Sequence, residues 1–248
     1  MLQVITRAFG PPLLDTAVSS ALLRRVDSGD LPATLRLFVP DRIVAFGRQD
    51  RVRPGYAAAL EAVAESGFHA VERLAGGRAA TFHEGTLAFA WSTPEELPRE
   101  TIHGRFDALT SVMVNAFASL GVDARVGEVP GEYCPGRYSV NARGTRKLMG
   151  VGQRLLRQSA HVGGVIVVDH ADLVNLPLLP AYRALGYGWD PNATGAIADE
   201  VPADTGSVAT AVLDAFHAAG HELVDAEVDD KTLALAAEII GEHDPAIA

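Results

Sequence analysis

The chain carries one cysteine, Cys134, in the stretch Tyr133-Cys134-Pro135-Gly136-Arg137-Tyr138, and one of its only two lysines, Lys147, follows shortly after. A thiol beside Pro-Gly lies at a turn, whereas structural cysteines usually sit inside apolar elements. As a thiolate it is a nucleophile for acyl transfer, and nearby cations favour that form. From Tyr133 to Gln158 there are six basic residues (Arg137, Arg143, Arg146, Lys147, Arg154 and Arg157) and no acidic one. Positive charge in this chain is otherwise written as arginine, 19 against two lysines. A lysine directly after Arg146 therefore points to a place for a compact ammonium aimed at one oxygen rather than a planar fork. Each feature also has an inert reading: a lone cysteine as a small hydrophobe, a lysine on a solvated strand face.

A second chemistry-bearing segment runs from Arg73 to Gly85, Arg-Leu-Ala-Gly-Gly-Arg-Ala-Ala-Thr-Phe-His-Glu-Gly. Gly76 and Gly77 have no Cβ to keep a ligand from the backbone, and bare N–H groups there hold anionic or carbonyl oxygen. Arg73 and Arg78 can add charge-assisted contacts. No Gly-Lys-Ser/Thr follows, so this is not a P-loop, and an ordinary glycine turn is the alternative. His83 in this loop and His161 further on are the histidines placed to act as a general base, against the commoner role of a satisfied core histidine. A single cysteine excludes a disulfide framework and a multi-cysteine zinc site, and no His-Glu-x-x-His pattern occurs, so no metal site is expected.

The elements that position these segments follow from periodicity. Helices are predicted over 13–26, 56–65, 102–120, 205–219 and 230–242, the third from apolar residues recurring between Ile102 and Leu120 before Gly121. Strands are predicted over 34–39, 42–46, 68–74, 86–91, 122–126, 138–142, 147–156 and 161–168. Residues 173–192, with Pro177, Pro180, Gly186, Gly188 and Pro191, read as a loop and the best boundary before a C-terminal part. Strands in runs as well as in alternation with helices give an α/β (α+β) class: a mixed, largely antiparallel sheet flanked by helices. One catalytic domain over 1–248 is expected, with a small helical part at about 200–248.

Composition sets the outer limits. Apolar residues make up 48% and charged residues 21%, as in a globular protein with a core. No apolar run is long enough for a membrane span and no leader pattern opens the chain, so a cytoplasmic protein without membrane partners is expected. Net charge is −10, against general nucleic-acid binding. The local basic run, set against eight acids and one base between Glu222 and Asp244, points to a specific anionic partner or ligand.

At these residues the chain resembles the biotin/lipoate protein ligase superfamily. Arg73–Gly85 is similar to its Arg-x-x-Gly-Gly-x-Ala-x-x-His-x-x-Gly loop, and Leu148–Arg154 to the stretch after its lysine. Ile43–Gln49 and Asp190–Gly195 resemble an early turn and a late loop, and Tyr133–Tyr138 resembles the cysteine segment of the octanoyl amidotransferase branch. The likeness runs in order over about 13–220. It departs where Arg78 follows two glycines rather than the family's frequent three. The resemblance implies a class II synthetase-like catalytic domain that moves an octanoyl or lipoyl group to a carrier lysine through a thioester on Cys134, with Lys147 and the glycine-loop N–H groups on the oxyanion. It implies substrate contacts from Arg73, Gly76, Gly77, Arg78, His83, Gly150 and Gln153, and an acyl tunnel lined by Phe82 and Leu87. Partners would be lipoyl-domain carriers (glycine-cleavage carrier protein, 2-oxoacid dehydrogenase E2 subunits) or acyl carrier protein, with no cofactor. An ATP- and magnesium-dependent lipoate–protein ligase that needs no Cys134 is the alternative, and a non-catalytic carrier-binding protein a third. Octanoyl and lipoyl groups are not distinguished by the sequence.

Overall fold

The computed structural model describes residues 1–247. The strands are β1 (Leu2–Ile5), β2 (Thr34–Phe38), β3 (Ile43–Phe46), β4 (His69–Glu72), β5 (Ala80–Phe82), β6 (Thr86–Pro94), β7 (Ala124–Val126), β8 (Val140–Ala142), β9 (Arg146–Leu155), β10 (Ser159–Val167) and β11 (Leu223–Asp225). The helices are α1 (Pro12–Asp27), α2 (Arg48–Arg51), α3 (Tyr56–Glu65), α4 (Ile102–Ser119), α5 (Ala171–Leu185), α6 (Thr205–Ala218) and α7 (Asp230–Ile239).

An eight-stranded sheet has the order β11-β1-β2-β6-β10-β9-β8-β7, and β4-β3-β5 form a smaller one. β11, β1 and β2 pair in parallel and the rest of the large sheet is antiparallel, the mixed class expected. Side chains alternate across a strand. In β6, Leu87, Phe89 and Trp91 pack with Val162 and Ile166 of β10 against Leu109, Phe117 and Phe216 of α4 and α6. That leaves Ala88 and Ala90 on the opposite face, with Gly163 and Gly152 directly across from Ala90 on β10 and β9. This row without bulky side chains is a trough in the sheet, roofed by the small sheet and α1.

Two expectations are corrected. Residues 173–192 are not a loop throughout: α5 runs through Pro177 and Pro180. Val174, Pro177, Leu178, Ala181, Tyr182 and Leu185 form one buried stripe against α3 and the small sheet. Burial of that stripe outweighs the two backbone donors that the prolines lack. The C-terminal region also contributes a strand, β11, on the edge beside β1, and α7 packs on α1 through Ala236 and Ile239. No helix among the described residues is long and apolar enough to cross a membrane.

Candidate active site

Cys134 sits in the turn before β8 with φ 41°, a left-handed conformation that costs a non-glycine residue about 1–2 kcal/mol. Three contacts hold it there. Its N–H donates to the Tyr182 hydroxyl (2.9 Å), which donates to the Ala79 carbonyl (2.9 Å). Its own carbonyl accepts from Lys147 Nζ (2.9 Å). The turn leaves the half-buried thiol facing the glycine loop: Sγ accepts from the Arg78 N–H (3.1 Å) and lies 3.8 Å from Arg73 Nη1. These donors stabilise negative charge on sulfur, or on an oxygen bonded beside it.

Lys147 lies on β9, 1% exposed. Its Nζ donates to Glu132 Oε1 (3.0 Å) and to the carbonyls of Tyr133 and Cys134 (2.9 Å each), 4.7 Å from the Tyr133 ring centre. An ammonium has three donors, and all three are taken. In this state the lysine clamps the cysteine turn, and a substrate oxygen would have to displace one of its acceptors. Glu132 is the hub on the other side. Its carboxylate also accepts from Ser139 Oγ (2.5 Å) and from the backbone N–H groups of Gly136 (3.1 Å) and Val129 (2.9 Å). Glu132 and Tyr182 are the residues sequence reasoning missed. A single acid just ahead of an acid-free basic run was the available signal for the first, and the apolar stripe of α5 for the second.

The glycine loop is laid onto β9. Gly76 N–H donates to the Gln153 carbonyl (3.2 Å), and a Cβ on Gly152 would come within 2.5 Å of the Gly76 carbonyl oxygen. Gly77 takes φ 125°, and a Cβ there would stand 2.7 Å from Arg73 Nη1 and 3.0 Å from Cys134 Sγ. Arg73 Nη1 closes the loop onto the Arg78 carbonyl (2.8 Å). Gly150 gives room for Lys147, whose Cε is 3.3 Å from where a Cβ would be.

Not every residue expected at the site contributes its side chain. The Arg78 guanidinium stacks over Tyr187 (4.4 Å), leaving its N–H for the sulfur. The Gln153 amide bonds the Ile102 carbonyl and the Arg105 guanidinium at α4, so it serves the loop through its carbonyl alone. His83 is buried in the β5–β6 turn, where Nδ1 accepts from the Gly85 N–H (3.0 Å), and it lines neither cavity described below. Burial pushes its pKa down to about 4. Leu87 points into the α4–α6 core.

Two spaces share Arg73, Phe82 and Gly164 in their walls. A small chamber is lined by Arg73, Phe82, Cys134, Lys147, Gly150 and Val165. Beyond it lies a cleft of ≈ 690 Å³ over the trough, bounded by Ile43, Ala45, Phe82, Ala88 and Ala90, with Asp15, Thr16, Ser19 and His161 also on its wall. His161 is buried, its pKa is pushed down to about 4 by that burial, and its Nδ1 lies 3.4 Å from Ser92 Oγ. The arrangement is a thiol with donors beside it in a chamber that shares walls with an apolar slot, suited to binding an acyl chain with its carbonyl at sulfur. Among the described residues no group of three or more His, Cys, Asp or Glu side chains is placed to hold a metal ion.

The profile of the family described as "Lipoyl protein ligase A/B catalytic domain" matches residues 11–184. The chain belongs to that family. Within the lipoyl protein ligase A/B family it is similar to the octanoyl-GcvH:protein N-octanoyltransferase of Geobacillus kaustophilus, 28% identical over 188 residues, 74% of this chain and 66% of that protein. It is also similar to the lipoyl-GcvH:protein N-lipoyltransferase of Listeria monocytogenes, 24% identical over 62% of this chain and 55% of the relative. The matches to the first curated relatives span less than two thirds of those proteins' own lengths. The fold is that of lipoate-protein ligase A bound with ATP, at a TM-score of 0.79 and 20% identity over 96% of this chain and 93% of the other. The bi-partite lipoate protein ligase of Thermoplasma acidophilum shares it at a TM-score of 0.75 and 19% identity, over 96% and 91% of the two chains.

Proposed function

We propose that this family member transfers an octanoyl or lipoyl group between lysines of lipoyl carrier domains through a thioester on Cys134. The observation that carries the reading is the thiol held in a positive-φ turn, facing the Arg78 N–H and Arg73, in a small chamber that shares the walls of Arg73 and Phe82 with the apolar cleft. The relatives named for transfer from the glycine-cleavage carrier support the same donor here.

Cys134 thiolate attacks the acyl carbonyl of the donor. The oxyanion forms beside the Arg78 N–H and Arg73, donors of a kind whose single removal costs about 10²–10³ in rate. The carbon–nitrogen bond of the donor amide breaks and the departing lysine amine takes up a proton. The neutral amine of the acceptor lysine attacks the thioester, the carbon–sulfur bond breaks, the nitrogen loses a proton and the thiolate returns. Each methylene buried in the cleft contributes about 0.8 kcal/mol, so a medium chain binds without help from a nucleotide.

Incubation with an octanoylated glycine-cleavage-type carrier and no ATP is expected to give an octanoyl adduct on the intact protein by mass spectrometry, absent in Cys134→Ser. Acceptor modified only with ATP and a free acid, and undiminished in Cys134→Ser, overturns the proposal in favour of a ligase.

A further inference from the structure

Next to the acyl site is a second, polar pocket of ≈ 500 Å³, lined among others by Arg24, Arg48, Glu72, Arg73, Arg154 and His243. Its basic residues come from distant parts of the chain: Arg24 on α1, Arg48 at the start of α2, Arg154 at the end of β9 and His243 after α7. Both acids on its wall are engaged, Glu242 with Arg24 and Glu72 with Arg51 (3.4 Å). Arg48 and Arg154 have no carboxylate within ion-pair distance among the described residues. Burial and then the neighbouring Arg48 and Arg24 lower the pKa of Arg154, and Glu242 opposes them only in part. His243 is 4% exposed; its Nδ1 donates to the Glu72 carbonyl (3.0 Å), and its buried Nε2 has no partner. Burial holds the His243 pKa below the ordinary imidazole value, so Nε2 becomes a donor only when a bound anion favours the protonated ring.

We propose that Arg48, Arg154 and His243 form an oxyanion-binding pocket that seats a carboxylate of the carrier domain, next to the lysine that gives or receives the acyl group. The inference rests on the transferase reading above for the identity of the partner. A groove of ≈ 780 Å³ shares Arg48, Arg73 and Arg154 with this pocket and continues over Gly76 and Gly77. Arg73 lines the pocket, the groove and the chamber at Cys134 alike. A lysine stem is only four methylenes long, so a carboxylate flanking that lysine stays close when its nitrogen is at the sulfur. The phosphate of a pantetheine arm, separated from its thioester by a far longer chain, would pass beyond the pocket. In a protein of net charge −10, such a pocket gives an acidic partner one defined place to dock.

The test is a double-mutant cycle on binding, which needs no turnover. Affinity of an unmodified glycine-cleavage-type carrier is measured by titration calorimetry for the wild-type chain and for Arg48→Gln/Arg154→Gln. Both are also titrated with a carrier whose carboxylates flanking the lysine are changed to amides, after thermal melts confirm that the variants fold. The expected result is a loss of about tenfold or more from either change and little further loss from both together. Additive losses, or none, overturn the proposal. So does binding of inorganic phosphate or ATP at about 1 mM by the wild type that the arginine variant abolishes, because the pocket is then a phosphate site. Failure of Cys134 to take an acyl group would remove the transferase reading and leave this cycle readable.

Discussion

At the scale of single residues, Lys147 and Glu132 act as one unit. Both are almost wholly buried, and their charges compensate each other. Lys147→Met is expected to destabilise the protein by about 3–5 kcal/mol in urea unfolding at neutral pH, because the Glu132 carboxylate loses its cation in a buried site. Lys147→Met/Glu132→Gln should recover part of that loss. A lysine that served only the substrate would leave the urea midpoint nearly unchanged. Two of the three buried imidazoles, His83 and His161, make a pH prediction. Unfolded, His83 and His161 protonate near the ordinary value of 6.5, while burial holds the native rings down to about 4. Between those pH values unfolding takes up protons, so stability falls as pH drops through that window, by about 1.4 kcal/mol per unit for each ring. Urea midpoints at pH 7.5, 6 and 5 should show the fall, and His83→Gln and His161→Gln should each flatten it.

At the scale of elements, the site is a contact between three segments that are remote in sequence. β9 carries Lys147 and receives the glycine loop, the turn before β8 carries Cys134, and α5 ties that turn to Ala79, just ahead of the small sheet's β5, through the Tyr182 hydroxyl. Gly152→Ala would push the Gly76 carbonyl off β9 and is expected to slow Cys134 acylation by about 10²-fold, the usual cost of moving a reacting group by about 1 Å. Gly104→Ala, in open space on α4, should instead raise stability by about 0.5–1 kcal/mol. Thermal melts and single-turnover acylation on the same two variants separate loop placement from general damage. The basic run of 133–158 shows why elements matter to charge. Arg143 and Arg146 are neutralised by Glu200 and Asp199, Lys147 by Glu132, and Arg154 joins Arg24 and Arg48 in a different cavity. Four residues of one patch in the sequence thus fall into three environments in the fold.

At the scale of the whole molecule, Asp15 on the wall of the cleft belongs to a buried ion pair with Arg36 that joins the N-terminal segment, α1 and β2. Arg36, fully buried, bonds Asp15, the Asp15 carbonyl (2.8 Å) and the Arg7 carbonyl (3.0 Å), and lies 3.8 Å from the centre of the Phe38 ring. Asp15 Oδ1 also accepts from the Phe9 N–H (3.0 Å). Asp15→Asn keeps the shape but strands the guanidinium, so a loss of about 3–5 kcal/mol is expected in urea. Asp15→Leu/Arg36→Met should lose much less. If Asp15→Asn were neutral, the pair would not be what holds these segments together.

Most of the longer helices and strands, the mixed sheet and the family likeness were legible in the chain because local periodicity and short motifs encode them, whereas α5 and the short strands β1, β5 and β11 were not. Cys134 and Lys147 stood out by rarity. What the sequence by itself did not determine was partnership. That Lys147 spends its three donors on the cysteine turn, that Arg78 offers its amide and not its guanidinium, and that Gln153 and His83 turn away from the cleft depend on which residue lies opposite after folding. Pro177 and Pro180 argued for a loop on local grounds, and only the burial of one face of α5 overruled them. Local rules count the bonds a segment makes with itself, whereas these outcomes were set by the bonds and apolar contacts it makes with segments far along the chain.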